Sequence, residues 1–297
     1  MDVINFIAGE PLFYLVLAFI TGLMVGSFLN VVIYRVPLML EREWKQQCTE
    51  LMDLEPVEET ARFNLLTPRS ACPSCGHQIT ALQNIPVSSY LLLRGKCAAC
   101  NTRISPRYPL IELLTGIISV LVAWRFGFTL EALAALFLSW TLIALSGIDF
   151  DHKLLPDSLT LLLLWVGLLI SLASKLVSAD TLFIAPTESI AGAVIGYLAL
   201  WSVYQVFLLI TGKEGMGYGD FKLLAALGAW LGYQQLPLII FFSALVGALA
   251  GIVMIVTLGR DRQIPIPYGP YLAAAGWVAL MWGSNINAYY FHMTGLG

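Results

Sequence analysis

Apolar residues in this chain gather into long unbroken blocks. They do not alternate as in strands, nor do they fall in narrow helical stripes. The blocks run about 11–34, 109–124, 129–148, 158–177, 188–210, 221–236, 237–258 and 270–290, with short polar punctuation between them. A helix crossing the hydrocarbon core of a bilayer needs about 20 consecutive apolar residues. Most blocks meet that length; the second and sixth are short, which suits helices tilted less, buried among neighbours or continued by polar turns. The pattern predicts an all-α polytopic membrane protein with about eight transmembrane helices. One long polar stretch follows the first block, so the expected division is 1–37 as a first transmembrane helix, 38–107 as a polar domain and 108–297 as a seven-helix membrane domain.

Composition strengthens this picture. The chain of 297 residues is 58% hydrophobic and only 12% charged, about half the charge of a soluble domain. The lipid bilayer is the expected partner of so much apolar surface, and no nucleic-acid partner is expected. The first ten residues carry Asp2 and Glu10 but no Lys or Arg. A secretory signal needs a basic start and a small-residue cleavage site, so the first block is expected to be kept as a membrane helix.

The placement of charge predicts an orientation. With the N-terminus outside, 14 of the 16 Lys and Arg residues fall in inward loops, and only Arg125 and Lys175 fall outside. The inverted arrangement would break the positive-inside rule. The polar domain is therefore expected in the cytoplasm.

Against this apolar background, two groups of acids stand out. The sequence G-M-G-Y-G-D-F-K places Asp220 behind Gly215, Gly217 and Gly219, where a hydrophobic block begins. Glycine lets another chain approach closely, and an acid at the edge of the hydrocarbon is a functional candidate. Asp220 could equally be a helix N-cap. The third block ends in S-G-I-D-F-D-H-K-L-L-P-D, residues 146–157. Asp149 lies closest to the apolar run and is the first choice for chemistry. Asp151, two residues on, points elsewhere, since i and i+2 do not share a helix face; it ranks second. Lys153, four beyond Asp149, would neutralise it if the helix continued. Asp157 follows Pro156 and is expected to cap the fourth block, and His152 reads as an interfacial polar residue. Both acid groups fall on the inward side. If Asp149 and Asp220 meet, they form an aspartic dyad in which two close carboxyls share one proton.

The polar domain holds C-P-S-C (Cys72, Cys75) and C-A-A-C (Cys97, Cys100), with 21 residues between the pairs. Two such hooks read as a four-thiolate, zinc-ribbon-like site that staples a domain too small for a large core. The rival is a pair of disulfides, disfavoured in a reducing compartment. His77 is a solvent-facing residue or a substitute ligand, and Cys48 is given no role.

Other polar groups have structural or open readings. Gly22/Gly26, Gly192/Gly196 and Gly247/Gly251 have the four-residue spacing that lets helices approach in lipid. Asn30 is expected to hydrogen-bond a neighbouring helix. Pro109 suits a first helical turn, which puts Glu112 inside the second block. It either forms an ion pair, with Arg107 the nearest candidate, or contacts a substrate or cofactor. Three prolines at 265, 267 and 270 forbid regular helix, so the segment 259–270 is expected to line a cavity, as part of a substrate groove.

Taken together, these motifs carry a resemblance. G-Y-G-D-F-K looks like the GxGD signature of membrane aspartic proteases. With G-S-F-L-N-V-V-I-Y-R-V-P (26–37), the paired C-x-x-C hooks, R-Y-P-L-I-E-L-L-T-G, I-D-F-D-H-K-L-L-P-D and P-I-P-Y-G-P-Y-L-A, nearly the whole chain resembles a type IV prepilin peptidase. The resemblance implies a bifunctional enzyme of the bacterial inner membrane with a periplasmic N-terminus. One activity would cut the basic leader from type IV prepilins and type II secretion pseudopilins after a glycine. The other would methylate the new N-terminal amine with S-adenosylmethionine. It implies Asp149 and Asp220 as the catalytic pair and Cys72, Cys75, Cys97 and Cys100 as the cysteines of the cytoplasmic domain. Residues 26–116 are implicated in methyl transfer, although no Rossmann-type glycine fingerprint occurs. A proton-coupled transporter using the acids as a relay, or a scaffold of the secretion machinery with the acids as caps, would be the alternatives.

Overall fold

A computed structural model describes residues 10–53, 62–178, 184–258 and 266–294. Asp2, Arg260, Arg262, Pro265 and the rest of segment 259–265 lie outside the described residues. The helices are α1 Pro11–Leu51, α2 Ser88–Leu92, α3 Arg107–Phe126, α4 Leu130–His152 and α5 Asp157–Ser178, then α6 Pro186–Thr211, α7 Tyr218–Leu231, α8 Leu236–Leu258 and α9 Gly269–Thr294. Extended pairing among the described residues is confined to two isolated bridges, Ala71 with Gln78 and Lys96 with Arg103. Each of the eight apolar blocks coincides with a helix, and the protein is an all-α polytopic membrane protein. Six helices among the described residues are long and apolar enough to cross a membrane: α1, α3, α4, α5, α6 and α8.

One boundary differs from the sequence expectation. The first membrane helix was expected to span 1–37, its apolar block ending near residue 34, but it continues through Pro37 to Leu51. A proline inside a helix removes one hydrogen bond and costs roughly 3 kcal/mol. Beyond it, however, the run L-M-L-E-R-E-W-K-Q-Q consists almost entirely of good helix formers. Lys45 pairs with Glu41 one turn back at 2.8 Å, and Gln46 donates to Glu50 at 3.0 Å. Local propensity therefore carries the helix past the point where apolarity ends.

The chain divides into two compact units, Met1–Ala132 and Leu133–Gly297. In the first, α1 lies against α3. A Cβ at Gly22 would sit 2.5 Å from Ser119 Oγ, and one at Gly26 would sit 2.7 Å from the Glu112 Cα, so the glycine spacing is used for close approach. Asn30 Nδ2 donates to the Tyr108 carbonyl at 3.1 Å, the inter-helix bond expected of it. Arg35 is buried and donates to the Asn64 carbonyl at 2.8 Å and the Pro68 carbonyl at 2.6 Å, which ties the polar segment to the helix.

In the second unit α7 is the centre, packed by α5, α6 and α9. It has 14 residues, about 21 Å of rise, so it is shorter than the hydrocarbon core. Every residue from Leu223 to Leu231 is buried. Gly192 of α6 meets Gly228 of α7 backbone to backbone. The Trp230 indole covers Gly167 and donates to the Leu163 carbonyl at 2.8 Å. The third glycine pair differs: Gly247 and Gly251 face the side chains of Tyr271 and Ile266, so it does not mediate a backbone approach.

Candidate active site and candidate metal centre

Asp149 sits in the last turn of α4, 5% exposed. The helix stops at His152 because Lys153 turns left-handed (φ 52°), and the Lys153 N–H closes on the Asp149 carbonyl at 2.9 Å. A carboxylate here opposes the helix dipole. It is answered from another element: the Gly269 N–H, first of α9, donates to Asp149 Oδ2 at 2.9 Å. The N-terminus of a helix presents free N–H groups to an anion. Only glycine fits, because a Cβ at 269 would lie 2.7 Å from that oxygen.

Asp220 is the third residue of α7, 8% exposed. It is not the cap: Gly217 holds that position, and no side chain caps the helix. The Asp220 N–H donates to the Gly217 carbonyl at 3.2 Å, which leaves the carboxyl free for other work. The motif reaches its place through Gly219, where a Cβ would sit 2.7 Å from the Leu155 Cβ. Leu155 is buried and belongs to the link between Asp149 and α5. Gly269, whose N–H holds Asp149, lies against the same leucine, where a Cβ would fall 3.1 Å from Leu155 Cδ2, so the elements that carry the two acids pack on one residue.

The remaining acids are placed differently. Asp151 is exposed beyond the dyad. Lys153 is exposed and does not reach Asp149, since the helix ends first. Asp157 is in the first turn of α5 and is not its cap. Its carboxylate takes both bonds from Lys222 Nζ, at 2.6 and 2.7 Å. His152 is exposed, as expected for an interfacial residue. Glu112 is buried in α3, and the Val87 N–H at 2.8 Å and the Ser27 hydroxyl hold it, not Arg107.

The four cysteines converge within the first unit. Their sulfurs lie within 4.8 Å of one another, with Cys72 to Cys100 at 3.8 Å and Cys75 to Cys97 at 4.0 Å. A disulfide would need about 2.05 Å. A tetrahedron of sulfurs around an ion at about 2.3 Å has edges near 3.8 Å, so the donor set fits a zinc-sized ion. Each hook is closed the same way. Cys72 N–H donates to the His77 carbonyl and Cys97 N–H to the Thr102 carbonyl, both at 2.9 Å. The residue after each second cysteine is left-handed: Gly76 (φ 70°) and Asn101 (φ 58°), two types that tolerate it. Hydrogen bonds from Thr102, first its hydroxyl and then its backbone, hold the Cys100 thiol down at about 6. Backbone groups of Ser74 and Cys75 lower Cys72. Against a backbone bond at His77, burial and the neighbouring cysteines push the Cys75 thiol up to about 12, so all four would ionise together only with a cation between them. His77 is exposed and outside the cluster, and Cys48 is exposed on α1.

Sequence reasoning did not find Gly269 as the partner of Asp149. The only trace was P-I-P-Y-G-P itself, an irregular segment beside a membrane helix, which was read as the wall of a groove.

Comparison with known proteins gives two domain matches and a set of full-length relatives. Residues 20–126 match the bacterial Peptidase A24 N-terminal domain, and residues 136–252 match the type IV leader peptidase family. A protein named prepilin leader peptidase/N-methyltransferase from Stutzerimonas stutzeri is 54% identical, over 98% of both chains. Relatives of the same name from Pseudomonas aeruginosa and Legionella pneumophila are 51% identical over 99% of both chains and 46% identical over 96% of both. No solved structure matches the chain.

Proposed function

Because the chain belongs to the type IV leader peptidase family, we propose that it is a bifunctional membrane enzyme that removes the leader of type IV prepilins after a glycine and N-methylates the residue exposed. The observation that supports the protease half is the burial of Asp149 and Asp220 on elements packed around Leu155, with Gly269 N–H on the first. One carboxyl is ionised and takes a proton from water; the other is protonated and donates to the scissile carbonyl oxygen. The amide given to Asp149 suits it to the base role, because it holds Oδ2 and leaves Oδ1 for a water. Asp220 then supplies the proton. The attacking hydroxide adds to the carbonyl carbon. In the collapse of that intermediate Asp149 passes its proton to the leaving nitrogen and a diol hydroxyl returns one to Asp220, which breaks the peptide bond and resets the pair.

The same reading extends to pseudopilins of type II secretion and to the bacterial inner membrane, with the N-terminus periplasmic and the dyad at the cytoplasmic side. The basic leader would stay in the cytoplasm while its apolar helix lies in the bilayer. Zinc is the proposed ion at Cys72, Cys75, Cys97 and Cys100, where it would staple the domain. S-adenosylmethionine is the proposed methyl donor, with residues 26–116 implicated. Glu112 is already engaged by Val87 and Ser27, so no contact to the donor is drawn through it.

The test is cleavage of a prepilin peptide by the full-length protein and by Asp149→Asn and Asp220→Asn variants, with mass analysis of the product for an added CH₂. Each variant is expected to lose leader removal while still methylating a peptide supplied without its leader. Normal processing by either variant ends the proposal.

A further inference from the structure

We propose that Tyr268 is a positioning residue for the protease reaction: its hydroxyl, tied to Ser243, locks the segment that aims the Gly269 N–H at one oxygen of Asp149. This rests on the dyad assigned above.

The direction of the tyrosine bond follows from counting protons. Ser243, on α8, is fully buried, and its Oγ lies 3.0 Å from the Ile240 carbonyl and 2.6 Å from the Tyr268 hydroxyl. A serine has one proton to give. The carbonyl can only accept, so the Ser243 proton goes to Ile240 and the Tyr268 proton goes to Ser243. The Tyr268 side chain therefore hangs from α8 by a directed bond.

Its backbone holds a second element. The Tyr268 carbonyl accepts from the N–H groups of Tyr271 and Leu272, both at 3.1 Å, and so begins α9. The next amide, Gly269, holds Asp149 at 2.9 Å. Pro267 and Pro270 flank the pair; they fix φ on either side and restrict the residues before them. One residue thus links α8, α9 and the acid of α4 through a stiff segment. Any rotation of this segment would withdraw the amide from Asp149 Oδ2. The acid could then present either oxygen, and a misplacement of about 1 Å at a reacting group can cost about 100-fold in rate.

Tyr268→Phe deletes the hydroxyl and keeps both the ring and the capping carbonyl. The full-length protein in detergent micelles, given a prepilin peptide, is expected to lose several-fold to about tenfold in kcat, in keeping with one lost hydrogen bond. KM should stay unchanged. Ser243→Ala should reproduce the loss, the double variant should be no worse than either single one, and Ser243→Thr should recover most of the rate. Thermal unfolding of the same preparations in detergent should match wild type and so report intact folding. A wild-type kcat in Tyr268→Phe overturns the inference. So does a change confined to KM, or losses that multiply in the double variant. If Asp149→Asn and Asp220→Asn are inactive while Tyr268→Phe is normal, only this inference falls. If either Asp variant cleaves, the dyad falls with it.

Discussion

Two glycines of the G-Y-G-D motif look equivalent in sequence, yet the structure predicts opposite outcomes for their substitution. At Gly219 a Cβ would lie 2.7 Å from the Leu155 Cβ, 3.3 Å from its carbonyl oxygen and 3.4 Å from Cδ1. The nearest atom is fixed to the backbone, so no rotamer of Leu155 clears the contact. The start of α7 and the link 153–156 must separate by about 1 Å to reach ordinary packing. Overpacking of that kind costs about 1–3 kcal/mol of stability. Asp220 is the next residue and moves with the backbone, so Gly219→Ala should lower kcat for leader cleavage about 100-fold. At Gly217 the nearest atom is Asp220 Oδ2 at 3.7 Å, an ordinary contact, and φ is −78°, open to any residue. Gly217→Ala should therefore stay within a few-fold of wild type in rate and within about 0.5 kcal/mol in stability. Peptide cleavage and thermal unfolding of the purified variants in detergent decide the matter. Equal loss in both, or a wild-type rate for Gly219→Ala, would refute the packing account of the motif.

Three further outcomes follow from the packing and the thiol cluster. After chelation, Cys100 should be alkylated readily at pH 7, because Thr102 holds its thiol at about 6 and the thiolate prevails above that pH. Labelling should fall as pH drops through about 6, and added zinc should protect the residue, as peptide mass spectrometry would show. Gly192→Val should abolish accumulation of folded protein, since the new side chain would run into the Gly228 backbone; a normal yield in membranes would contradict this. Trp230→Phe leaves the Leu163 carbonyl without its buried donor, at a cost of about 1–3 kcal/mol, visible as a lowered unfolding temperature.

The legible part of this fold was whatever depends on solvent preference. Eight apolar blocks became eight helices, seven of them long and α7 short and enclosed, because an apolar surrounding forces every backbone group to be satisfied within its own segment. The cysteine hooks were legible for a similar reason, since a four-thiolate site needs little beyond its ligands and two tight turns. Boundaries governed by local propensity were not legible from apolarity, and α1 running on to Leu51 is the example. The least legible part was the partner of each polar group. Lys153 was the obvious neighbour of Asp149 by spacing, but the helix ends one residue too early. Asp157 was expected to cap α5 but pairs with Lys222, 65 residues away. Glu112 is held by a backbone amide of Val87 and not by the nearby arginine.

The same distinction explains how a carboxyl pair can exist here at all. A spanning helix with Asp220 at its tip would expose either lipid-facing apolar surface or the acid itself. α7 avoids both, because 14 residues enclosed by α5, α6 and α9 need not face lipid, and irregular backbone at membrane depth is tolerated where protein surrounds it. The cost falls on the neighbours, which must come within backbone contact. That is why small residues recur at 192, 219, 228 and 269, each against a different element. An acid delivered this way is oriented by main-chain groups, not by charged partners. Its geometry should therefore respond more to the volume of the residues packed beside it than to ionic strength.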